Sequence, residues 1–288
     1  MKNNKIITIL TLLIIIASIV ASSTGIFSDD GREPYEYKSI RGNEVLIYGK
    51  GLYKHMSADV AIQGIAQDYI TLFIGVPLLL ISLFFARKKS LRGLFLLTGS
   101  MGYFLVTYLF YLTMGMYNQM FLVYAFLLGT TFFAFILTGL EFNLNEIKSK
   151  FKSEELVRNA GIFLIINASL VGLLWLGVVL PPIFDETIYP KELQHFTTLI
   201  VHGFDLGLLL PMAFVVGILT IRKNRFGFLF TPIYMIFLSL LMTALVSKIL
   251  FMANARENVI PVIFIMPAIA VISITFSALL LRNIKEGN

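Results

Sequence analysis

Long apolar stretches separated by short charged turns run through the whole chain. A helix needs about 20 apolar residues to cross the roughly 30 Å hydrocarbon core of a bilayer. Eight stretches meet this length, whereas the strands of a membrane barrel would be about 10 residues long with alternating polarity. We therefore predict transmembrane helices at about 6–27, 68–86, 93–115, 119–140, 159–180, 198–221, 226–252 and 259–281.

The composition supports a lipid-facing surface. Hydrophobic residues make up 57% of the 288 residues and charged residues only 14%. A soluble domain carries about 25% charged residues, because its surface must be wetted by water. The sequence thus predicts an all-α polytopic membrane helix bundle in contact with the lipid bilayer, with a single transmembrane domain over 1–288 and an extracytoplasmic loop at 28–67.

Lysine and arginine residues are concentrated in alternate turns. With the N-terminus inside the cell, fifteen of the 23 lie at cytoplasmic helix ends and seven lie outside. The positive-inside rule then predicts that the N-terminus and the C-terminus are both cytoplasmic. The cytoplasmic set is Lys2, Lys5, Arg87, Lys88, Lys89, Arg92, Lys148, Lys150, Lys152, Arg158, Arg222, Lys223, Arg225, Arg282 and Lys285, and the outer set is Arg32, Lys38, Arg41, Lys50, Lys54, Lys191 and Arg256.

The first apolar stretch has a second interpretation. Lys2 and Lys5, the apolar run 6–20 and the small residues 21–23 also form the pattern of a cleavable signal peptide. Cleavage would leave seven helices and an outer N-terminus. The stretch extends to Phe27, which is long enough to span the bilayer, so both interpretations stay open.

Two loops carry weaker structural signals. In the outer loop, the alternation over 44–48 allows a short strand or hairpin, and Ser57 is placed to cap a helix that continues into the second span. The inner loop 141–158 is amphipathic and predicts a short surface helix.

The two halves of the chain share a pattern of polar and proline residues. Asp68 and Pro77 lie in the second predicted helix, and Asp205 and Pro211 lie in the sixth. Halves of four helices each, 1–150 and 155–288, would form a parallel 4+4 repeat about an axis along the membrane normal. Such a repeat predicts related positions for Asp68 and Asp205. Basic inner turns alone also produce part of this pattern in any multi-pass protein.

The sixth predicted helix carries the most distinctive polar stripe. Thr198, His202 and Asp205 follow each other at intervals of four and three residues. Gly203 and Gly207 have the GxxxG spacing of a close-packing motif and lie on nearly the opposite face. This pattern predicts a central helix, on which His202 donates a hydrogen bond to Asp205. An ionisable group within a span is a candidate functional residue. The alternatives are structural pairing of Asp205 and a later start of the helix.

Three further residues complete the candidate site. Gln67 and Asp68 lie at the outer mouth of the second helix, and Lys248 lies near the outer end of the seventh. An interfacial cap and a lysine that extends to the headgroups are the structural alternatives. The predicted ligand or ion pocket, open to the outside, comprises Asp205, His202, Asp68, Lys248, Thr198 and Gln67. Tyrosines cluster near the same outer ends, where interfacial belts are typical and a pocket lining is the alternative: Tyr103, Tyr108, Tyr111, Tyr117 and Tyr124.

Most catalytic classes lack their residues here. The chain has no cysteine and three histidines, which excludes thiolate chemistry and argues against metal sites built on several histidines. We expect no cofactor, no metal, no catalytic residue and no nucleic-acid partner. Glu154, Glu155 and Arg158 approximate the EExxxR motif of intramembrane CAAX-type proteases, but they are one residue too close and lie in a cytoplasmic turn.

Five short motifs are spread over helices two to eight: 67–68 (QD), 75–78 (GVPL), 116–118 (MYN), 175–177 (WLG) and 204–207 (FDLG). Together they resemble an uncharacterised family of bacterial multi-pass integral membrane proteins. The resemblance implies the bacterial cell membrane as the location, and it implies no activity. Three hypotheses for function follow, in order: a small-solute or ion transporter or ligand-binding membrane protein, a non-catalytic sensor or scaffold, and an intramembrane enzyme.

Overall fold

Eight helices that are long and apolar enough to cross a membrane make up the fold of the described residues. The structure, a computed structural model, describes residues 4–185, 187–255, 260 and 262–286. The prediction of an all-α polytopic membrane bundle is confirmed. Lys2, Arg256 and the last two residues lie outside the described residues. The helices are α1 Asn4–Phe27, α2 Ala58–Arg87, α3 Leu91–Met114, α4 Phe121–Gly139, α5 Glu154–Val179, α6 Ile200–Ile221, α7 Arg225–Asn254 and α8 Val262–Asn283.

Polar caps and left-handed residues define the short turns between the helices. The side chains of Ser90, Ser153 and Asn224 accept hydrogen bonds from the first-turn amides of α3, α5 and α7. These bonds satisfy donors that a helix start leaves unpaired. Lys89 and Lys223 have positive φ angles of 63° and 55°, which reverses the chain at the ends of α2 and α6. Neighbouring helices are therefore antiparallel.

Each half of the chain forms a closed ring of four helices. In the first half α1 packs against α2 and α4, and α3 packs against α2 and α4; in the second half α5 to α8 repeat this arrangement. Between the halves, α3 packs against α7, and α7 also packs against the first part of α2. The most apolar window of α3 is 78% buried and that of α7 is 50% buried, against 28% for α6. The prediction that the sixth helix is central is therefore wrong.

Close helix packing on α6 involves a different glycine from the two that the sequence predicts. A methyl group at Gly203 or Gly207 would meet nothing within 4 Å among the described atoms. A methyl group at Gly217 would lie 2.6 Å from the carbonyl oxygen of Gly161 on α5. Small residues let helix backbones approach closely in a bilayer, and here Gly161 and Gly217 do so.

The same local features occur in both halves of the chain, and each pair of features is separated by the same number of residues. Both α2 and α6 contain a π-helical turn, at Thr71–Gly75 and at Asp205–Leu209. Pro77 and Pro211, the left-handed Lys89 and Lys223, the caps Ser90 and Asn224, and the close-contact Gly93 and Gly227 have the same separation. These features support the repeat, while its relation to the membrane normal stays a prediction. In this register Asp68 corresponds to His202, so Asp205 lies about one helical turn beyond the position that the repeat relates to Asp68.

The loop before α2 carries the expected hairpin. Strands β1 Tyr35–Lys38 and β2 Glu44–Ile47 pair antiparallel, and a 3-10 turn, Gly51–Tyr53, follows them. Ser57 precedes α2 as predicted, but its side chain makes no cap hydrogen bond. We call this end of the bundle the hairpin end and the opposite one the basic end.

At the hairpin end, the loop before α6 packs on the hairpin loop. Arg41 donates to the carbonyl oxygen of Gln194 at 3.4 Å, and the Tyr189 hydroxyl donates to the carbonyl oxygen of Arg41 at 3.0 Å. The Gln194 amide also donates to Asp59, near the start of α2, at 2.7 Å. The two loops therefore cover the hairpin end together.

At the basic end, the tail of each half reaches the third helix of the other half. Asn145, after α4, accepts a hydrogen bond from Arg225 at the start of α7. Glu286, after α8, accepts hydrogen bonds from Ser90 and from the first amides of α3. The surface helix predicted for 141–158 is wrong, because that segment contains only a 3-10 turn, Ile147–Lys150, before α5 begins.

Candidate functional site

Asp68 is the most completely buried ionisable residue of the predicted pocket, with 1% of its surface exposed. Tyr53 donates a hydrogen bond to Asp68 Oδ2 at 2.5 Å, and Tyr111 donates to Oδ1 at 3.0 Å. Tyr111 belongs to α3, whereas Tyr53 comes from the 3-10 turn outside the membrane-spanning segments. The Asp68 carboxylate therefore joins α2 to α3 and to the hairpin loop.

The approach of α1 to Asp68 depends on a glycine. A methyl group at Gly25 would overlap the Asp68 carboxylate and would lie 2.9 Å from the Tyr53 hydroxyl oxygen. The glycine thus lets the backbone of α1 close the site from a third side.

Burial changes the pKa of Tyr53, a residue that lies outside the membrane-spanning segments. Desolvation first, and then the nearby Asp68 carboxylate, raises the pKa of Tyr53 well above its usual value. Removal of its proton would place a second negative charge in a buried site. Tyr53 therefore stays a hydrogen-bond donor to Asp68 through the physiological pH range.

Gln67 connects the site to the middle of α3. Its amide nitrogen donates to the Tyr103 hydroxyl at 2.7 Å and to the Thr107 hydroxyl at 3.3 Å. Tyr103 also shares a hydrogen bond with Thr71, the first residue of the π-helical turn. A π turn leaves the regular hydrogen-bond register and is often found at functional sites. Gln67 therefore lies inside the polar network and does not act as an interfacial cap.

Asp205 forms a second polar centre on α6. Trp175 on α5 donates its indole N–H to Asp205 Oδ2 at 2.7 Å. The His202 ring packs on Trp175 with 4.2 Å between ring centroids, and its buried Nε2 has no hydrogen-bond partner. The prediction that His202 donates to Asp205 is wrong in this structure, because the tryptophan makes that bond.

Lys248 on α7 lies between the two centres. It interacts electrostatically with both Asp205 and Asp68. Within the described part of the chain, no ion pair of 4 Å or less joins its ammonium to either carboxylate. The neighbouring Ser247 donates to the carbonyl oxygen of Ala66 on α2, which fixes this part of α7 against the Asp68 helix. Lys248 is half-buried and does not lie in an exposed interfacial position.

Thr198 does not share the polar stripe of α6. The helix begins at Ile200, and the exposed Thr198 precedes it in the loop. The alternative of a later helix start is the correct one, because the chain from Gln194 to Leu199 is not helical. Of the six predicted residues, Asp68 and Gln67 share a polar network in the first ring, and Asp205 and His202 lie beside Trp175 in the second. Lys248 interacts with both aspartates.

Sequence reasoning gave Tyr53, Tyr111 and Trp175 no specific role. Tyr111 belongs to the tyrosine cluster for which an interfacial belt is the main prediction, and Trp175 belongs to the motif at 175–177. The structure buries Tyr103, Tyr108 and Tyr124 and exposes only Tyr117 strongly, at 78%. Four tyrosines on α3 and α4 lie within reach of the buried Asp68, so the tyrosine cluster is the feature of the sequence that could have indicated this site.

Comparison with known proteins finds no matching family model, no matching curated protein and no matching solved structure. The resemblance to an uncharacterised bacterial membrane family therefore stays a prediction.

Proposed function

We propose that this multi-pass membrane protein is a small-solute or ion transporter whose central element is Lys248 between Asp68 and Asp205. The observation that carries the proposal is the position of Lys248, which interacts with both carboxylates and forms a close ion pair with neither. If Lys248 formed a purely structural ion pair, its ammonium would be expected to lie within hydrogen-bond distance of one carboxylate. One cation shared between two anions can instead favour either side.

The energetic cost of these groups argues for a functional role. An ionisable side chain near the bilayer centre costs about 2.5–3.5 kcal/mol on insertion scales, and less towards the interface. The chain is only 14% charged, yet it retains Asp68, Asp205 and Lys248 within its membrane-spanning helices. Buried groups of this kind are typical of ion and substrate pathways.

The arrangement of the halves supports the same proposal. Parallel repeats with a binding site near their interface are a common architecture of secondary transporters. Here α7 of the second half packs on α2 of the first, and Lys248 and Asp68 lie on these two helices. Relative movement of the two rings would change the separation of Lys248 from each carboxylate.

The proposed orientation follows from the distribution of lysine and arginine residues between the two ends of the bundle. We place the basic end in the cytoplasm of a bacterial cell and the hairpin end outside, with loop 28–67 extracytoplasmic and the whole chain as a single transmembrane domain. We also propose that α1 is retained in the mature protein, because it closes the first ring and brings Gly25 against Asp68.

A sensor is the second candidate, and one contact favours it. The hydrogen bond from Tyr53 to Asp68 connects a loop outside the spans directly to a buried charge. Binding of a ligand to the loop would then alter the helix interface without transport. No observation gives comparable support to an enzyme.

The test is solute and ion flux in proteoliposomes. Individual radiolabelled amino acids, sugars, nucleosides and organic cations are offered in the presence of sodium or proton gradients, and pyranine reports internal pH. The proposal expects flux with the wild-type protein, loss of flux in Lys248→Met, and retained flux in Lys152→Met, since the Lys152 side chain is exposed. Absence of flux for every probe, or full flux in Lys248→Met, would overturn it.

A further inference from the structure

We propose that the Asp68 centre is a binding site for a monovalent alkali cation, with sodium as the fitting ion. The site comprises Asp68 with Ser18 and Ser22 on α1, Tyr108 on α3 and Tyr124 on α4. Its role as a coupling ion rests on the proposed transport function, while binding itself is measurable without any flux.

Four buried hydroxyl oxygens near Asp68 make no close hydrogen bond. Those of Ser18, Ser22, Tyr108 and Tyr124 have no partner within 3.5 Å at good geometry in the described structure, so their contacts with Asp68 and with each other are at most long and weak. Each of these residues is at most 2% exposed. A buried polar group without a partner costs about 1–3 kcal/mol, so four at one place form an unusual concentration.

These oxygens form one connected group of neighbours. Ser22 lies within weak hydrogen-bonding reach of the Asp68 carboxylate, and the Tyr108 hydroxyl lies within such reach of Ser18 and Ser22. The Tyr108 and Tyr124 rings are stacked, with centroids 6.1 Å apart, and Tyr124 is also close to Tyr53. Ser18 and Ser22 are four residues apart on α1 and therefore share one helix face.

The chemistry of the group selects the ligand. All candidate ligands are oxygen atoms, which hard cations prefer. A calcium or magnesium site commonly uses several carboxylates or retained waters, whereas Asp68 is the only carboxylate in this group. One negative charge surrounded by neutral hydroxyl oxygens suits a monovalent ion. Tyr53 and Tyr111 hold the carboxylate by hydrogen bonds from neutral groups, which add no positive charge to the site.

A cation at this site would act on Lys248. The ammonium of Lys248 and the bound ion would compete for the same carboxylate, because both interact favourably with Asp68. Occupancy of the site would therefore shift Lys248 towards Asp205. This competition gives a direct physical connection between an ion in the first ring and the charged centre of the second.

The experiment measures binding on the purified full-length protein. Thermal stability is recorded in NaCl, LiCl, KCl and N-methylglucamine chloride at equal ionic strength, and ²²Na⁺ binding is measured by scintillation proximity. We expect saturable stabilisation by sodium beyond that by N-methylglucamine. We also expect Ser22→Ala and Ser18→Ala each to weaken ²²Na⁺ binding about tenfold or more.

The matched control is Ser169→Ala on α5, whose hydroxyl donates to a carbonyl oxygen of its own helix and lies outside the site. It should bind sodium like the wild type. Sodium binding that is absent, or that persists unchanged in both Ser22→Ala and Ser18→Ala, would overturn the site. Flux without sodium binding removes this inference alone, and sodium binding without flux removes the transport proposal and the coupling role but keeps the site.

Discussion

The Tyr53–Asp68 hydrogen bond predicts a measurable stabilisation of the bundle by the loop at the hairpin end. Substitution Tyr53→Phe keeps the ring, which is only 5% exposed, and removes the hydroxyl that donates to Asp68 Oδ2 at 2.5 Å. Asp68 then retains the hydrogen bond from Tyr111. A hydrogen bond to a charged group contributes about 1.5–3 kcal/mol, so the unfolding equilibrium constant should rise about 10- to 150-fold.

Equilibrium unfolding in mixed micelles with increasing SDS measures this change. Trp175 is the only tryptophan, so its fluorescence follows the unfolding of the second ring in every variant. Tyr117→Phe is the matched control, because Tyr117 is 78% exposed, and its stability should equal the wild type. In an Asp68→Asn background, Tyr53→Phe should cost only about 0.5–1.5 kcal/mol, the range for a neutral bond. Equal stability of Tyr53→Phe and Tyr117→Phe would refute the anchoring of the loop on Asp68.

Three further predictions address packing, pH and orientation. Gly227→Ala should destabilise the protein by about 1–3 kcal/mol in the same unfolding assay, because its methyl group would lie 2.6 Å from the Thr220 Cα atom, whereas Gly129→Ala has open space and should not. Burial opposes ionisation of Glu286, but hydrogen bonds from Ser90 and the first amides of α3 prevail and hold the pKa of Glu286 below its usual value. The ionised Glu286 therefore stabilises the fold above about pH 4.3, and this stabilisation is lost as the pH falls through the lower pKa of the folded state. Glu286→Gln should remove this acid-dependent loss of stability. An impermeant thiol reagent on intact cells should label a cysteine at the exposed position 36 and not one at the exposed position 149, and the reverse labelling would reject the proposed orientation.

The helices were predictable because each depends on a local property, the length of an apolar stretch. The hairpin was also predictable, since the alternation over 44–48 is local. The position of α6 within the bundle was not, because Gly203 and Gly207 have the spacing of a packing motif but no neighbour in the described structure. Sequence spacing shows which residues share a face, but it does not show what that face contacts.

The sequence predicts which charged residues belong to the candidate site, but it does not predict which residues they contact. Asp68, Asp205 and Lys248 stood out because charges are rare in the spans. Their partners Tyr53 and Trp175 come from distant segments, so only the folded arrangement joins them. The π-helical turns near both aspartates also shift the helical register, which a constant 100° per residue does not reproduce.

The most direct test of the charged centre is flux and stability measured together on Asp205→Asn. The substituted amide keeps an oxygen that can accept the Trp175 hydrogen bond, so the fold loses little, but the anion that competes for Lys248 is gone. A functional centre predicts unfolding free energy near that of the wild type with flux abolished in proteoliposomes. Flux that is retained, or that is lost only in proportion to stability, would contradict the account and leave Asp205 a structural residue.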